Sequence, residues 1–167
     1  MEKVAVYPGT FDPIHNGHTD LIQRASRLFD RVIVAVAASA GKNPCFSLTE
    51  RVGLASEVLR KFDNVAVESF DGLLVHFAAR RKAYIVVRGL RAVSDFEYEL
   101  QLANMNHKMF EDLETLFLPA DEMFGYVSST LVREIAMMNG DPSPFVDPIV
   151  ARAFDSKLAT LGGRRTA

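Results

Sequence analysis

The sequence is poor in cysteine and has no long apolar run, and each absence excludes a class of structure. Its one cysteine, Cys45, cannot form an internal disulfide and has no cysteine partner for a metal site. The longest apolar run, residues 32–38, is far too short to cross a bilayer, so we expect no membrane partner. The N-terminal residues MEKVAVYPG lack the features of a signal peptide, which predicts a cytoplasmic protein.

The sequence also lacks a large excess of positive or negative charge. The 167 residues carry a formal net charge of −2 and contain no long Lys/Arg cluster. This argues against a nucleic-acid partner, because such proteins neutralise phosphates with a concentrated positive surface. The glycine-rich dinucleotide motif GxGxxG and the Walker motif GxxxxGK[ST] are absent as well. Any phosphate site in this chain must therefore be built in another way.

The apolar pattern predicts strands that alternate with helices. We expect one domain over residues 1–161 and a disordered tail over 162–167. Capping-box spacing at Ser47/Glu50 and Ser94/Glu97 predicts two helix starts, and Asp147 with Pro148 predicts a third. Such alternation implies an α/β fold, with a doubly wound five-stranded parallel sheet and helices on both faces. The predicted strands are residues 4–7, 31–38, 64–70, 84–87 and 115–118.

The stretch from Tyr7 to His18, YPGTFDPIHNGH, lies between the first predicted strand and the first helix. The first amides of a helix lack intrahelical partners, so this crossing suits a phosphate. Gly9 and Gly17 are expected to let backbone approach a ligand closely, and His18 is expected in the first helical turn.

Several polar residues are predicted to meet where the parallel strands end, which is where ligands bind in such sheets. Together they offer hydroxyl, imidazole, cationic and amide donors to a polyphosphate. No nucleophile paired with a base is evident, which favours direct attack by a substrate phosphate that is already ionised. The residues are Thr10, His18, Lys42, Arg88, Arg91 and the hydroxyl triplet 128–130.

Several motifs carry a resemblance to a known family. HNGH at 15–18 resembles the HxGH motif of the nucleotidylyltransferase superfamily, and VSSTLVR at 127–133 resembles its ISSTxxR motif. With YPGTFDP, AASAGKNPCF and RGLRAVSDFEYE, the chain is most similar to the phosphopantetheine adenylyltransferase family. The resemblance implies a Rossmann-like nucleotidylyltransferase fold and an enzyme that transfers AMP from ATP to 4′-phosphopantetheine. The products would be dephospho-coenzyme A and pyrophosphate, in coenzyme A biosynthesis.

The resemblance also implies roles by matching position. Thr10 and His18 would stabilise the transition state, and Thr10, Lys42, Leu74 and Arg88 would bind the acceptor, with Lys42 and Arg88 counted among the catalytic groups. Mg²⁺ would be the cofactor, held mainly by the ATP phosphates and by no protein ligand set. The implied ATP contacts are Thr10, Phe11, His18, Gly89, Leu90, Arg91, Glu99, Phe124, Gly125, Tyr126, Val127, Ser128, Ser129 and Thr130.

Other interpretations of the same residues stay open. His15 and His18 could ligate a metal, although no further ligand is evident, and Ser128 could be only a helix cap. An adenylyltransferase for a mononucleotide such as nicotinate mononucleotide would share the HxGH and SST motifs. A non-catalytic nucleotide-binding regulator would share the fold.

The long helix after RGLR carries two apolar stripes on roughly opposite sides. One stripe holds Phe96, Leu100, Ala103 and Phe110, and the other holds Tyr98, Leu102, Met105 and Met109. If one stripe covers the sheet, the other faces water, and an exposed apolar patch of that size indicates an interface. We therefore expect a homo-oligomer, and the resemblance implies a hexamer.

Overall fold

A computed structural model describes residues 2–39 and 43–160. Lys42 and the expected tail at 162–167 lie outside these ranges. Five strands alternate with helices over the described chain. The elements are β1 (Val4–Gly9), α1 (Asn16–Leu28), β2 (Arg31–Ala37), α2 (Leu48–Leu59), β3 (Val65–Phe70), α3 (Leu74–Arg80), β4 (Ile85–Leu90), α4 (Val93–Met109), β5 (Glu114–Pro119), α5 (Ser129–Met137), a 3₁₀ turn (Ser143–Phe145) and α6 (Pro148–Thr160).

The strands form one parallel sheet in the order β3-β2-β1-β4-β5, which confirms the predicted α/β fold. The chain runs from β1 to one edge of the sheet and then returns to add β4 and β5 on the other side of β1. The strand order therefore reverses beside β1. In open parallel sheets this reversal leaves a crevice beyond the carboxyl ends of the two strands involved.

Apolar side chains on both faces of the sheet explain why helices cover both sides. β2 has five consecutive residues, 32–36, that are each at most 1% exposed, as expected for a central strand of a parallel sheet. Alternate sheet residues pack against α1, α2, α5 and α6 on one face. The other face packs against α3 through Phe77 and Ala78.

Two predicted boundaries near β4 were wrong. β4 was expected to end at Val87, but it runs through Arg88 and Gly89 to Leu90, because these residues pair with β5. The predicted capping box at Ser94 and Glu97 was also wrong. The helix begins at Val93, with the extended residue Ala92 as its N-cap, so Ser94 already lies inside the first turn.

Helix α4 leaves much of its apolar surface accessible. Tyr98 and Met105 are each 62% exposed and Met109 is 51% exposed, as expected for the second stripe. The first stripe packs on the sheet through Phe96 and Phe117, whose ring centroids are 5.8 Å apart, but Phe96 is still 42% exposed. Covering of the sheet by this stripe is therefore only partial. Among the described residues, no helix combines the length and the hydropathy that a membrane span requires.

Candidate active site

Two histidines build the start of α1 in a reciprocal arrangement. The Gly17 amide donates to His15 Nδ1 at 3.1 Å, and the His15 amide donates to His18 Nδ1 at 3.2 Å. The two rings stack with centroids 3.6 Å apart. This is the geometry of a capping box, with imidazoles in place of a hydroxyl and a carboxylate. His18 lies in the first helical turn, as predicted.

These bonds fix the protonation of both rings. A ring nitrogen that accepts a backbone N–H carries no proton, so the proton of each neutral imidazole lies on Nε2. Burial lowers the pKa of His15 to about 4, with a smaller contribution from Arg91. Burial, assisted by His15, holds the pKa of His18 well below its ordinary value. His18 is therefore a neutral hydrogen-bond donor at neutral pH, and an acid or a base at Nδ1 is excluded by its bond to the backbone.

The two glycines of this turn make room for neighbouring side chains. A Cβ on Gly17 would lie 3.0 Å from His15 Cε1, and a Cβ on Gly9 would lie 3.0 Å from the Phe11 ring. Both glycines also line the cavity described next, and the expectation that they let a ligand approach the backbone stays a prediction. The amides of α1 are also partly engaged, since Gly17 and His18 both donate to His15.

A cavity of about 460 Å³ opens beyond the carboxyl ends of β1 and β4, where the strand order reverses. Twelve of the residues predicted for the site line it: Thr10, Phe11, His18, Arg88, Gly89, Arg91, Glu99, Phe124, Val127, Ser128, Ser129 and Thr130. Among the described residues, the predicted contacts Leu90, Gly125 and Tyr126 line neither this cavity nor the second one described below. The walls also include residues for which no role was predicted: Tyr7, Asp12, His15, Asp95 and Arg133.

A second cavity, of about 360 Å³, shares part of its lining with the first. It shares Thr10 and Arg88 with the first and contains the predicted acceptor residue Leu74. Its remaining lining is mostly apolar, with polar groups at Asn106 and Thr115. The wall common to the two cavities consists of Pro8, Gly9, Thr10, Arg88 and Glu99, and we call it the shared wall.

Arg88 and Glu99 form a bidentate ion pair in the shared wall. Arg88 Nε and Nη2 donate to the two carboxylate oxygens of Glu99 at 2.6 and 2.5 Å, and Nη1 donates to the Pro8 carbonyl at 3.0 Å. Burial alone would lower the pKa of Arg88, but the hydrogen bonds and charge of Glu99 outweigh it and raise that pKa. Glu99 therefore occupies the side edge of the guanidinium, and the Pro8 carbonyl takes one hydrogen bond from Nη1.

The start of α5 faces the first cavity and provides backbone donors. Ser128 caps the helix, since its Oγ accepts from the Leu131 amide at 3.2 Å. Ser129 Oγ donates to the Pro13 carbonyl at 2.8 Å and ties α5 to the turn after β1. The amides of Ser129 and Thr130 precede the first intrahelical bond, which is the arrangement that binds anions. The serine cap and the amides without intrahelical partners therefore lie at the same end of this helix.

The carboxylates of the first cavity all have partners within the protein. Asp12 accepts from the Cys45 and Phe46 amides, Asp95 pairs with Arg91, and Glu99 pairs with Arg88. Among the described residues, no group of three or more His, Cys, Asp or Glu side chains could hold a metal ion. These residues do not fit a protein-held Mg²⁺ site, and no further ligand joins His15 and His18.

Comparison with known proteins identifies the family. A family model described as Cytidylyltransferase-like matches residues 6–135. The chain is 60% identical over 158 residues to a phosphopantetheine adenylyltransferase from Thioalkalivibrio sulfidiphilus, covering 95% of this chain and 99% of the relative. It is 58% identical over 157 residues to a phosphopantetheine adenylyltransferase from Hahella chejuensis, covering 94% and 98%. The chain belongs to the phosphopantetheine adenylyltransferase family.

A solved structure agrees with the fold of this family. A bifunctional NMN adenylyltransferase/ADP ribose pyrophosphatase from Francisella tularensis superposes with a TM-score of 0.69. The match covers 95% of this chain and 50% of that one, at 14% sequence identity. A likeness at this identity supports the Rossmann-like nucleotidylyltransferase fold. As a member of its family, the chain is a nucleotidyltransferase, and the predicted resemblance is confirmed.

Proposed function

We propose that this chain transfers the adenylyl group of ATP to 4′-phosphopantetheine, giving dephospho-coenzyme A and pyrophosphate in coenzyme A biosynthesis. The observation that carries the proposal is the shared wall, which separates a polar cavity from a mostly apolar one. Two substrates that enter from opposite sides meet at Thr10 and Arg88. Relatives that are 57–60% identical over nearly their whole length bear the name phosphopantetheine adenylyltransferase, which supports this choice of acceptor.

The second cavity has the chemistry that a pantetheine arm requires. Phe70, Leu74 and Leu102 line it with apolar surface, and Asn106 and Thr115 offer hydrogen bonds to amides. Arg88 lies at its inner end, where the terminal phosphate of the arm would reach the shared wall. Lys42 joins Arg88 in binding that phosphate in our proposal, on the basis of the matching motif.

The reaction is a direct displacement at the α-phosphorus of ATP. An oxygen of the acceptor phosphate forms the new P–O bond as the bond to pyrophosphate breaks, and pyrophosphate leaves with that electron pair. His18 donates through Nε2–H to an oxygen on the α-phosphorus, and the Thr10 hydroxyl donates from the shared wall. No covalent intermediate is required, because the acceptor phosphate is already ionised and is itself the nucleophile.

The nucleotide occupies the first cavity. The triphosphate binds at the Ser129 and Thr130 amides, near the guanidinium of Arg91. Phe124 and Val127 supply apolar surface beside it. Mg²⁺, when bound, would be held mainly by the ATP phosphates and would offset their negative charge, since the cavity carboxylates pair with other protein groups.

Helix α4 supports a proposal about assembly. Its exposed side chains Tyr98, Met105 and Met109 form an apolar surface beside Leu102, which lines the second cavity. We propose that copies of the chain pack through this helix, as a hexamer in the cytoplasm. Assembly would restrict the motion of Glu99, which belongs to α4, and hence of Arg88 in the shared wall, which donates to Glu99.

Pyrophosphate release tests the proposed reaction. The protein is incubated with ATP, Mg²⁺ and either 4′-phosphopantetheine or nicotinate mononucleotide, and His18→Ala is the matched inactive control. We expect pyrophosphate and dephospho-coenzyme A with the first acceptor, and no turnover with the second. Turnover with nicotinate mononucleotide would establish the rival adenylyltransferase, and nucleotide binding without turnover with either acceptor would indicate a regulator.

A further inference from the structure

Arg51 is a completely buried arginine that lines neither cavity. It lies in the first turns of α2 and is 1% exposed. Its guanidinium donates to four backbone carbonyls. Nη1 donates to Thr10 O at 2.7 Å and Ala37 O at 2.8 Å, Nη2 to Ala38 O at 3.3 Å, and Nε to Phe46 O at 3.2 Å.

All four partners are neutral carbonyls rather than carboxylates. Burial lowers the pKa of Arg51, which reflects the cost of removing the charge from water, and the negative charge of Asp12 opposes this shift. An apolar side chain of similar volume often stabilises a buried site as well as a charge does. An apolar side chain, however, cannot donate hydrogen bonds to several carbonyls. The distinctive feature of Arg51 is therefore that one planar guanidinium holds four backbone carbonyls.

The acceptors come from three segments that meet at the end of the sheet. Ala37 ends β2 and Ala38 follows it, Phe46 precedes α2, and Thr10 lies in the turn after β1. Asp12, in the same turn as Thr10, accepts from the Phe46 amide at 2.8 Å. Arg51 and Asp12 therefore join the turn after β1 to the segment before α2 from two directions.

The peptide that Arg51 holds is one whose conformation needs support. Phe11 has a positive φ of 50°, a strained conformation for a residue with a side chain, which persists only where the surrounding structure imposes it. Arg51 binds the Thr10 carbonyl, which belongs to the peptide that leads into Phe11. Rotation of that peptide would break this bond and would also turn Thr10, a residue of the shared wall, away from its position.

We propose that Arg51 is a positioning residue, which orients Thr10 in the shared wall by holding its carbonyl. The inference rests on the proposed function, because it assigns Arg51 to the same displacement at phosphorus. Arg51 contacts no substrate, so its loss should slow turnover with little change in the binding of either substrate. A displacement of about 1 Å in a reacting group can cost about a hundredfold in rate.

The test uses Arg51→Lys, which keeps the charge but cannot reach four carbonyls, and Arg51→Met, which removes the charge. Arg60→Lys, an exposed change on the residue that ends the same helix, is the matched control. For each folded variant, kcat and both KM values are measured by pyrophosphate release. We expect Arg51→Lys to lower kcat by about tenfold to a hundredfold and to change each KM by less than about threefold, while Arg60→Lys stays near the unmodified protein.

A second measurement asks whether the effect passes through Thr10. In a Thr10→Ala background, Arg51→Lys should cost much less in kcat, since the group that it positions is already missing. Equal losses in both backgrounds would overturn the proposal, as would a folded Arg51→Lys with normal kcat or failure of both Arg51 variants to fold. Absence of pyrophosphate release by the unmodified protein would instead refute the proposed function, and this inference with it.

Discussion

His15 should make the stability of this protein sensitive to acid, and its replacement by threonine should remove that sensitivity. Threonine keeps an N-cap oxygen for α1 but cannot titrate. The pKa of His15 is lowered to about 4 in the folded protein, against 6.5 when it is unfolded. Between these values the unfolded chain binds more protons, so stability is lost as the pH falls below 6.5.

The size of the effect follows from the pKa difference. A tenfold change in proton affinity corresponds to about 1.4 kcal/mol. Titration of His15 should therefore lower the free energy of unfolding by about 2.5 kcal/mol between about pH 7.5 and about pH 4.5. Urea denaturation of the unmodified protein and of His15→Thr, at matched pH values, gives both free energies of unfolding. Glu50 titrates in both proteins and cancels, whereas the pKa of His18 depends partly on His15, so the difference between the two curves reports His15 together with its effect on His18. A difference that stays constant to within about 0.5 kcal/mol over this range would refute the assigned burial and hydrogen bonding of the ring.

Three further predictions concern catalysis, the shared wall and assembly. His18→Ala should lower kcat by about a hundredfold to a thousandfold, with smaller changes in ATP affinity, because it removes one preorganised donor; near-normal kcat would contradict the role. Arg88→Met should destabilise the fold by about 3 kcal/mol in urea denaturation, because Glu99 is left buried and unpaired. The double variant Arg88→Met/Glu99→Gln should recover most of that loss. Additive losses from the two changes would argue against the ion pair. Met105→Glu should dissociate the oligomer in light scattering, whereas Leu28→Glu, a change at another exposed side chain, should not; a monomeric unmodified protein at micromolar concentration would rule the interface out.

The fold could be predicted where local pattern and tertiary structure agree. The apolar residues 32–36 predicted β2, and Ser47 with Glu50 forms both bonds of the predicted capping box. The same spacing failed at Ser94, because the chain leaves β4 only after Leu90 and begins α4 at Val93. Pairing of β4 with β5 set that boundary, and sequence periodicity does not report such pairing.

The site could be predicted from its motifs, but its supporting contacts could not. Spacing placed Thr10 and His18 at the crevice, yet capping by His15 was missed because imidazole is not among the usual caps. The available signal was the i, i+3 spacing of the two histidines, which is the spacing of the two side chains in a capping box. The bonds that Asp12 and Arg51 make between the turn after β1 and the segment around the start of α2 join residues 33 to 41 positions apart. Contacts at that separation depend on the whole fold and leave no local pattern in the sequence.

The shared wall has a stereochemical consequence. In the proposed reaction the acceptor approaches the phosphorus from the second cavity while pyrophosphate departs within the first, so the acceptor oxygen and pyrophosphate lie on opposite sides of the phosphorus. A single displacement with this geometry inverts the configuration at that atom, whereas two successive displacements would retain it. Both substrates must also be bound before either product forms, so AMP should never be found attached to the protein.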